Sequence, residues 1–325
     1  MHLPAIVLRA AGDPDQLRLE DVEVAEPGPG QVQVRHTAIG VNFHDVYVRS
    51  GLYHTLPLPG IPGIEAAGVV TATGPGATQF RPGDRVAYMT RQYGCYAAAR
   101  IIDEDLLIPL PDAVSDELAA THLLKGLTAY ALLHEVYAVK PRDRVLVHAA
   151  AGGVGALLCQ WAAAKGACVI GTAGSQKKAG FALQHGCSHA ILYREEDFVR
   201  RVDEITAGQG VQVAYDSVGK DTFFGSLACL APTGHLANFG QSSGAVPPFE
   251  VSQLFKKSNS LSRMSVFVQL RDAGHRRDVA RQLFAAFSDG TLSPSPVQRF
   301  SLADAAQAHR AMESRERMGS LLLVP

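Results

Sequence analysis

The segment HAAAGGVGALLCQWA, residues 148–162, has the spacing of a phosphate-binding turn that runs into a helix. Ala150, Gly152 and Gly155 occupy the three glycine positions of the dinucleotide fingerprint. The second glycine lets the backbone approach a pyrophosphate, the third lets the helix pack on its strand, and the helix N-terminus attracts phosphate. The alanine at the first position makes the motif alone a weak signal. The buried strand RVLVH directly before it favours dinucleotide binding.

The residues after the second strand of this unit favour a phosphorylated dinucleotide. Enzymes that use NAD usually place an acid there for the adenosine ribose. Between Asp143 and Glu195 the sequence has no acidic residue, and it offers Ser175 and Lys178 instead. A 2′-phosphate is attracted by a lysine, whereas a carboxylate would repel it. The sequence therefore predicts NADPH, with the alternative that Lys178 and its neighbour Lys177 are solvated helix residues.

Composition excludes several other classes of protein. The chain has 325 residues, 47% hydrophobic and 19% charged, with a net charge of −1, which suits two domains with buried cores and no nucleic-acid surface. No apolar run reaches the roughly 18 residues of a membrane span, and the first residues lack a signal-peptide layout. Five cysteines, an odd number, favour a reducing compartment. We expect a soluble, cytoplasmic protein with no membrane partner.

The elements that must position these residues change in character near Ser115. Before it, short strands such as QVQVRHTAIGVN and GIEAAGVVTATG alternate with turns. After it, strands alternate with helices, and we predict strands at RVLVHA, ACVIGT, HAILY, VQVAYDSV, GHLANFG and SLSRMSVFV. This alternation predicts an α/β fold with a Rossmann doubly wound parallel sheet. The apolar strand in the C-terminal GSLLLVP is expected to join the N-terminal sheet, which would make that domain discontinuous.

Several motifs together carry a resemblance to a known family. They are AAAGGVGALLCQWA, GVNFHDVYVRSGLY, LKGLTAY, YREEDF, YDSVG and FGQSSGAV. The chain resembles the zeta-crystallin-like NADPH:quinone oxidoreductases, a zinc-free branch of the medium-chain dehydrogenase/reductase superfamily, over essentially its whole length. The resemblance implies a β-rich GroES-like catalytic domain at residues 1–124 and 269–325, and a Rossmann NADPH-binding domain at residues 125–268.

The resemblance also implies roles for individual residues. Asn42, Phe43 and Tyr47 would lie beside the nicotinamide, and Asn42, Tyr47 and Tyr53 are the candidate catalytic residues of the acceptor pocket. Further cofactor contacts would come from Lys125 and Thr128 at the nicotinamide end, Gly152, Gly153 and Val154 at the pyrophosphate, Gly174, Ser175, Lys178 and Tyr193 at the 2′-phosphate, Ser217, Phe239, Gly240, Ser242 and Ser243 in the cleft, Ser265, Val266 and Phe267 at the carboxamide, and Arg315 from the returning tail. Alternatively, Tyr47 and Tyr53 are ordinary half-buried tyrosines, Phe239 is core and Arg315 is a surface residue.

The positions that hold zinc in related alcohol dehydrogenases carry other residues here. Asn42 and Ile64 stand where the resemblance places a cysteine and a histidine, and the third segment reads LLKGLT. The chain also lacks a four-cysteine cluster for a structural zinc. His44 and Asp45 are adjacent, and neighbours on a strand point to opposite faces. We predict no metal site, and we interpret Asp45 as a turn or supporting residue.

Without a Lewis acid, polarising a simple ketone is difficult, so acceptors that are already electrophilic are favoured. The leading interpretation is an NADPH-dependent quinone reductase, which transfers a hydride or single electrons. The alternatives are an NADPH-dependent enone or enoyl-thioester reductase, and a non-catalytic RNA-binding or structural protein. The net charge of −1 disfavours a nucleic-acid partner. The apolar edge strand SLSRMSVFV would be covered by a second copy, which predicts a homodimer.

Overall fold

The computed structural model describes residues 2–314 and 318–325. Its contacts divide the chain into two compact units. The first unit contains Met1–Leu124, Asp272–Phe284 and Pro294–Pro325, and the second contains Lys125–Arg271 and Ala285–Ser293. The predicted cofactor residue Arg315 lies outside the described residues. Within the described part of the chain, no helix is long and apolar enough to cross a membrane.

The described residues form strands and helices in the following chain order. The strands β1 to β15 are His2–Leu8, Leu17–Glu23, Gln31–Val41, Glu65–Thr73, Arg85–Met89, Ala99–Asp103, Ile108–Pro109, Arg144–Val147, Cys168–Ala173, His189–Leu192, Val211–Asp216, Leu230–Asn238, Ser260–Arg263, Val297–Ser301 and Ser320–Val324. The helices α1 to α9 are Phe43–Arg49, Asp116–Ala131, Gly153–Ala164, Gln176–Gln184, Phe198–Ile205, Phe223–Cys229, Val266–Gln269, Ala273–Ser288 and Ala305–Glu313.

The first unit is built on a sheet with the strand order β14-β15-β3-β4-β5-β7, in which β6 also pairs with β3. The alternating residues of β3, which include the buried Val32 and Val34, face the core of this unit. The C-terminal strand β15 pairs antiparallel with β3, with Leu322 opposite Gly40. The prediction that the last apolar strand joins the N-terminal sheet is therefore confirmed.

The segment after β3 forms a helix, α1, and not the strand on which the sequence placed His44 and Asp45. Its first turn is closed by a capping box, in which the Asp45 carboxylate accepts the backbone N–H of Asn42 at 2.8 Å. Arg49 lies in its last turn, where a cation favours the helix dipole. The strand expectation was wrong because polar residues at the two ends of this seven-residue segment stabilise a helix.

The second unit contains a six-stranded sheet with the order β10-β9-β8-β11-β12-β13. Every pair of neighbouring strands in this sheet is parallel. When β8 to β13 are numbered 1 to 6, the order across the sheet is 3-2-1-4-5-6, which is the doubly wound arrangement. The predicted parallel sheet is therefore confirmed. Val145, Leu146 and Val147 are fully buried, as expected for a central strand covered by helices on both faces.

The last strand of this sheet is shorter than the sequence predicted. We expected a strand over SLSRMSVFV, but β13 ends at Arg263 and the short helix α7 begins at Val266. The pairing explains the difference, because β12 offers partners only from His235 to Asn238, opposite Ser260 to Arg263. The residues that follow therefore have no neighbouring strand to continue the ladder.

For two helix glycines in this unit, we predict that alanine substitution changes the free energy of unfolding in opposite directions. A Cβ on Gly155 would lie 2.2 Å from the carbonyl oxygen of Ala149, so Gly155→Ala forces helix and strand apart and should lower the free energy of unfolding by about 2 kcal/mol or more. A Cβ on Gly180 meets nothing within 4 Å, so Gly180→Ala should raise it by about 0.5–1 kcal/mol. Urea denaturation of both variants tests this, and equal effects would contradict it.

Candidate active site

The predicted cofactor residues of the second unit follow the carboxyl ends of its six strands. In a parallel sheet these ends lie at one edge, which is where nucleotides bind in doubly wound folds. Gly152 to Val154 follow β8, Gly174 and Ser175 follow β9, and Tyr193 follows β10. Ser217 follows β11, the group from Phe239 to Ser243 follows β12, and Ser265 to Phe267 follow β13. The fold thus brings to one edge residues that are far apart in the sequence.

The glycine turn is shaped by close backbone contacts. Gly152 is the N-cap of α3, so the free N–H groups of that helix begin at the turn. A Cβ on Gly153 would lie 2.7 Å from Cδ of Lys125, whose aliphatic stem therefore lies against the turn. Lys125 and Thr128 are both buried on α2. A side chain at Gly153 would collide with Lys125, so the turn keeps its shape only with glycine there.

The alanine at the first glycine position is accommodated because its neighbour adopts the unusual conformation. Ala149 has a φ of 51°, in the left-handed region, whereas Ala150 is not among the residues with positive φ. Ala150 is fully buried and donates its N–H to the carbonyl of Thr172 at 3.0 Å. A methyl group fits at this position, and the departure from the strict glycine pattern does not disrupt the turn.

The residues predicted at the 2′-phosphate lie close together around the end of β9. Ser175 is the N-cap of α4, and its hydroxyl accepts the backbone N–H of Lys178 at 3.4 Å. Lys178 is half-buried, whereas Lys177 is exposed. The hydroxyl of Tyr193 lies 2.9 Å from where a Cβ on Gly174 would be. The Ser175 hydroxyl, the backbone of Lys178 and the Tyr193 phenol thus lie around the end of β9.

Two loops at this edge are held together by backbone hydrogen bonds. Ser242 donates its N–H to the carbonyl of Ser217 at 3.2 Å, and Ser243 donates its N–H to that of Val218 at 2.9 Å. A Cβ on Gly240 would lie 2.5 Å from the carbonyl oxygen of Ser217, so only glycine fits there. Phe239 is half-buried. These contacts give the cleft side of the sheet a fixed backbone.

The segment predicted to contact a carboxamide lies at the start of α7, with Ser265 as its N-cap. Val266 is buried and Phe267 is half-buried. A cavity of about 330 Å³ adjoins this segment, lined by Val136, Ser262, Arg263, Met264, Ser265, Val268 and Gln269. The turn after Arg263 therefore borders open space.

The candidate acceptor residues of the first unit form an aromatic wall, which we define as Phe43, His44, Tyr47, Tyr53 and Tyr93. The rings of Tyr47 and Tyr53 meet edge to face with centroids 5.1 Å apart, and Phe43 lies 6.1 Å from Tyr47. The backbone N–H of Tyr53 donates to the carbonyl of Tyr47 at 2.9 Å, which fixes the two relative to each other. This wall suits a flat, apolar acceptor.

Tyr93 and the role of His44 in this wall were missed by the sequence analysis. His44 Nε2 lies 2.8 Å from the Tyr93 hydroxyl, which also lies 2.5 Å from the hydroxyl of Thr55. Burial, reinforced by the nearby Arg91, lowers the pKa of His44 to about 4, so the imidazole is neutral at pH 7. Tyr93 is 49 residues from His44, and no local pattern in the sequence signals that they meet.

Asn42 is held by a buried carboxylate. Its amide nitrogen Nδ2 donates to Oε2 of Glu65 at 2.7 Å, and the other oxygen, Oε1, accepts the backbone N–H of Leu124 at 2.6 Å. Glu65 is fully buried and Asn42 is 6% exposed. The bond identifies which side of the Asn42 amide is the NH₂ group, because a carboxylate can only accept a hydrogen bond from it.

Asp45 lies on the same helix as Phe43, His44 and Tyr47, and it contacts a second set of polar residues. It is fully buried and accepts a hydrogen bond from the hydroxyl of Tyr96 at 3.1 Å. That hydroxyl also lies 3.0 Å from Nε2 of His309, whose pKa burial and the neighbouring Arg49 lower to about 3. These contacts are those of a supporting residue, which is how the sequence analysis interpreted Asp45.

The donor set at the zinc position of the related alcohol dehydrogenases does not fit a metal ion. Ile64 is a fully buried hydrocarbon, and the amide of Asn42 is bonded to Glu65. Over residues 2–314 and 318–325, no three His, Cys, Asp or Glu side chains are grouped as metal ligands. Zinc sites need three or four nitrogen, sulfur or carboxylate ligands, so the first unit cannot supply one here.

Comparison with known proteins decides the family. Residues 28–112 match the alcohol dehydrogenase GroES-like domain, and residues 153–282 match a family described as zinc-binding dehydrogenase. A quinone oxidoreductase of Pseudomonas aeruginosa is 43% identical over 324 residues, covering 98% of this chain and 99% of that protein. The chain belongs to the quinone oxidoreductase family. The predicted family and the predicted combination of a Rossmann sheet with a GroES-like domain are confirmed.

Two further relatives show the range of this quinone oxidoreductase family and its neighbours. The crystal structure of Escherichia coli quinone oxidoreductase complexed with NADPH superposes with a TM-score of 0.96 at 42% identity and covers 99% of this chain and 100% of that chain. A 2-haloacrylate reductase from a Burkholderia species is 42% identical, covering 99% of this chain and 98% of that protein. The scaffold therefore serves proteins named for different acceptors.

The donor set of the first unit predicts that the purified protein carries no zinc. Elemental analysis of protein prepared without chelator should give well under one zinc per chain, and incubation with chelator should leave turnover intact. The physical reason is that Ile64 and Asn42 replace ligands without which a catalytic zinc is not held. Stoichiometric zinc, together with chelator-sensitive turnover, would refute this interpretation of the two positions.

Proposed function

We propose that this protein is an NADPH:quinone oxidoreductase that works without a metal ion. The observation that carries the proposal is the pairing, in the first unit, of an aromatic wall with the amide of Asn42 at a position where related dehydrogenases bind zinc. The names of the relatives support the same activity. The family resemblance and the odd number of cysteines support a cytoplasmic location.

The second unit is proposed to bind NADPH, which supplies the hydride when it is bound. Gly152, Gly153 and Val154 would hold the pyrophosphate with backbone N–H groups and the helix dipole. Ser175, Lys178 and Tyr193 would hold the 2′-phosphate beside Gly174, where a side chain would collide with the Tyr193 hydroxyl. The other cofactor contacts stay as predicted for Lys125, Thr128, Ser217, Phe239, Gly240, Ser242, Ser243, Ser265, Val266 and Phe267.

The first unit is proposed to position the quinone and to stabilise its reduced form. Tyr47 and Tyr53 would hold the flat ring in place, and Asn42 would donate a hydrogen bond to an acceptor oxygen. Transfer of a hydride to a quinone gives a hydroquinone monoanion, which is stabilised by its own ring and takes a proton from water. The protein therefore contributes mainly orientation, which accelerates reactions strongly, and neutral hydrogen-bond donors.

A steady-state assay with NADPH tests the activity directly. Naphthoquinones and benzoquinones should turn over with a kcat/KM well above that for a 2-substituted acrylate, which is the fair competitor because of the relative named for haloacrylate. Absence of NADPH-dependent quinone reduction by well-folded protein would remove the proposed function. A preference for the acrylate would reassign the acceptor while leaving the cofactor assignment in place.

A homodimer is proposed from the exposed edge of the second unit's sheet. Among the described residues, the edge strand β13 pairs only with β12, and the segment just before β13 exposes Val251 and Phe255 to 74% and 87%. An open edge beside exposed apolar side chains is covered when a second copy pairs with it. Light scattering after size-exclusion chromatography should give twice the chain mass at micromolar concentration, and a monomer there would contradict this proposal.

The absence of an acid from residues 144–194, with Ser175 and Lys178 after β9, predicts preference for NADPH over NADH. Lys178→Ala should weaken NADPH binding by about 1.5–3 kcal/mol, the scale of a charged hydrogen bond, and should hardly change NADH binding. Lys177→Ala is the matched control, because that lysine is exposed and should change neither constant much. Dissociation constants from fluorescence titration measure this. Equal affinity of the parent protein for the two cofactors would rule it out.

Tyr47 is predicted to shape the acceptor site without donating a proton. Tyr47→Phe should keep turnover within about tenfold, equivalent to ~1.4 kcal/mol of barrier, because the ring that packs on Tyr53 remains. Tyr47→Ala should lose more, since it removes part of the wall. A general acid usually contributes about 10²–10⁴-fold. A thousandfold loss of turnover in Tyr47→Phe with normal NADPH binding would instead make Tyr47 a proton donor.

A further inference from the structure

Glu65 at the start of β4 is the buried group that the proposed reaction leaves without a role. Its side chain is fully buried, and both of its oxygens accept strong hydrogen bonds within the first unit. Oε2 accepts from the amide of Asn42 at 2.7 Å, and Oε1 accepts from the backbone N–H of Leu124 at 2.6 Å. Burying a carboxylate is costly, so these contacts define where it can lie and how it is turned.

The position of the Glu65 carboxylate is fixed by the backbone of Leu124 and of Gly40. Leu124 lies within the helix α2, so its N–H cannot rotate to another partner. On the other side, a Cβ on Gly40 would lie 2.6 Å from Oε2 of Glu65 and 2.1 Å from the carbonyl oxygen of Ala120. Only glycine at residue 40 leaves room for the carboxylate against α2. Glu65 is thereby clamped between two strands and a helix, and its oxygen facing Asn42 is fixed in place.

The polarity of Asn42 follows from this clamp. A primary amide has two N–H donors on one side and a carbonyl acceptor on the other, and its two ends have nearly the same shape. Glu65 binds one N–H, while the capping box of α1 pairs the Asn42 side chain with the backbone N–H of Asp45. The flipped orientation would place the amide carbonyl against the carboxylate, which is strongly unfavourable.

We propose that Glu65 is a positioning residue for quinone reduction, which fixes the amide of Asn42 so that its second N–H points to the acceptor oxygen. This inference rests on the proposed function. As the acceptor gains a hydride, negative charge collects on that oxygen, and a donor already oriented toward it stabilises the charge without reorganisation. No bond to Glu65 or Asn42 forms or breaks, and the final proton comes from water.

The isosteric substitution Glu65→Gln tests the proposal. The new side chain keeps one acceptor for the N–H of Leu124 and then presents an NH₂ group to that of Asn42. Two donors face each other, so the Asn42 amide must turn, and its carbonyl replaces the N–H toward the acceptor. We expect kcat with a naphthoquinone to fall by about tenfold or more, the effect of losing one oriented donor, while the NADPH dissociation constant changes less than about twofold.

Glu104→Gln is the matched control in the same unit. Glu104 is also a buried glutamate that accepts backbone N–H groups, from Thr78 at 3.3 Å and Gln79 at 2.8 Å. It has no contact with Asn42 among its hydrogen bonds. Its replacement should lower thermal stability by a similar amount and leave kcat near that of the parent. If Glu65→Gln lowers kcat no more than Glu104→Gln does, the proposal is wrong.

A reciprocal exchange separates positioning from simple structural support. Asn42→Asp alone places two carboxylates together and should destabilise the protein. Combining it with Glu65→Gln restores a hydrogen bond, from the glutamine amide to the aspartate, with the same total charge. We expect the double variant to regain thermal stability but to keep a low kcat, because the side chain of residue 42 no longer has an N–H. Full recovery of kcat would show that only the packing of this pair matters.

An NMR experiment reads the orientation of the amide without any assay. In ¹⁵N-labelled protein, the side-chain amide of Asn42, assigned by its disappearance in Asn42→Asp, should show one strongly shifted and exchange-protected N–H. That signature should vanish in Glu65→Gln and persist in Glu104→Gln. Its absence from an active parent protein would overturn this inference alone. A parent protein with no quinone reductase activity would instead overturn the proposed function, and the acceptor role of Asn42 with it.

Discussion

A fully buried carboxylate needs a hydrogen-bond donor for each of its two oxygens. The first unit is arranged around a carboxylate, that of Glu65, that has both. Glu65 joins β4 to the N-terminus of α1 through Asn42, and to α2 through the backbone of Leu124. Removing either partner would leave a buried charge short of a hydrogen bond, at a cost of a few kcal/mol. Gly40 is required by the same contact, since a side chain there would displace the carboxylate. The orientation of the candidate catalytic amide is thus a consequence of burial.

The shape of the glycine turn in the second unit depends on a steric constraint. Its glycine turn works because helix and strand approach closely, with the Cβ position of Gly155 2.2 Å from the Ala149 carbonyl oxygen. The left-handed conformation of Ala149 turns the chain, so a methyl group is tolerated at Ala150. The backbone therefore does not require a glycine at residue 150. The motif looked weak in the sequence because the strict pattern has a glycine there.

The fold was predictable where the hydrophobic periodicity of the sequence was strong. It was less predictable where the pairing between strands determines how long a strand is. The alternation of strands and helices gave the parallel sheet, and an apolar tail gave the strand β15. The helix α1 was missed although its signal was present, since Asn42 and Asp45 have the N-cap and N3 spacing of a capping box. The early end of β13 depends on how much of β12 is available beside it, which no local pattern reveals.

In the candidate site, too, some residues could be predicted from the sequence and others could not. The nucleotide-binding residues follow strand ends, so their convergence is implied by a parallel sheet. The contact between His44 and Tyr93, and that between Glu65 and Leu124, join residues 49 and 59 positions apart. Such side-chain contacts depend on how α1, α2 and the strands of the first unit pack, and a single sequence does not encode them in any readable spacing.

Asn42, held by Glu65, stands where the resemblance places a zinc ligand in related dehydrogenases. This replacement limits which carbonyl acceptors the protein can reduce. A metal ion contributes several kcal/mol of charge stabilisation to a carbonyl, whereas one neutral hydrogen bond contributes about 0.5–1.5 kcal/mol. The difference has to come from the acceptor. A quinone provides it, because the charge that arrives with the hydride spreads over an aromatic ring that forms in the same step. The aromatic wall then serves the acceptor better than a polar metal site would, since a flat, apolar ring gains from contact with aromatic side chains.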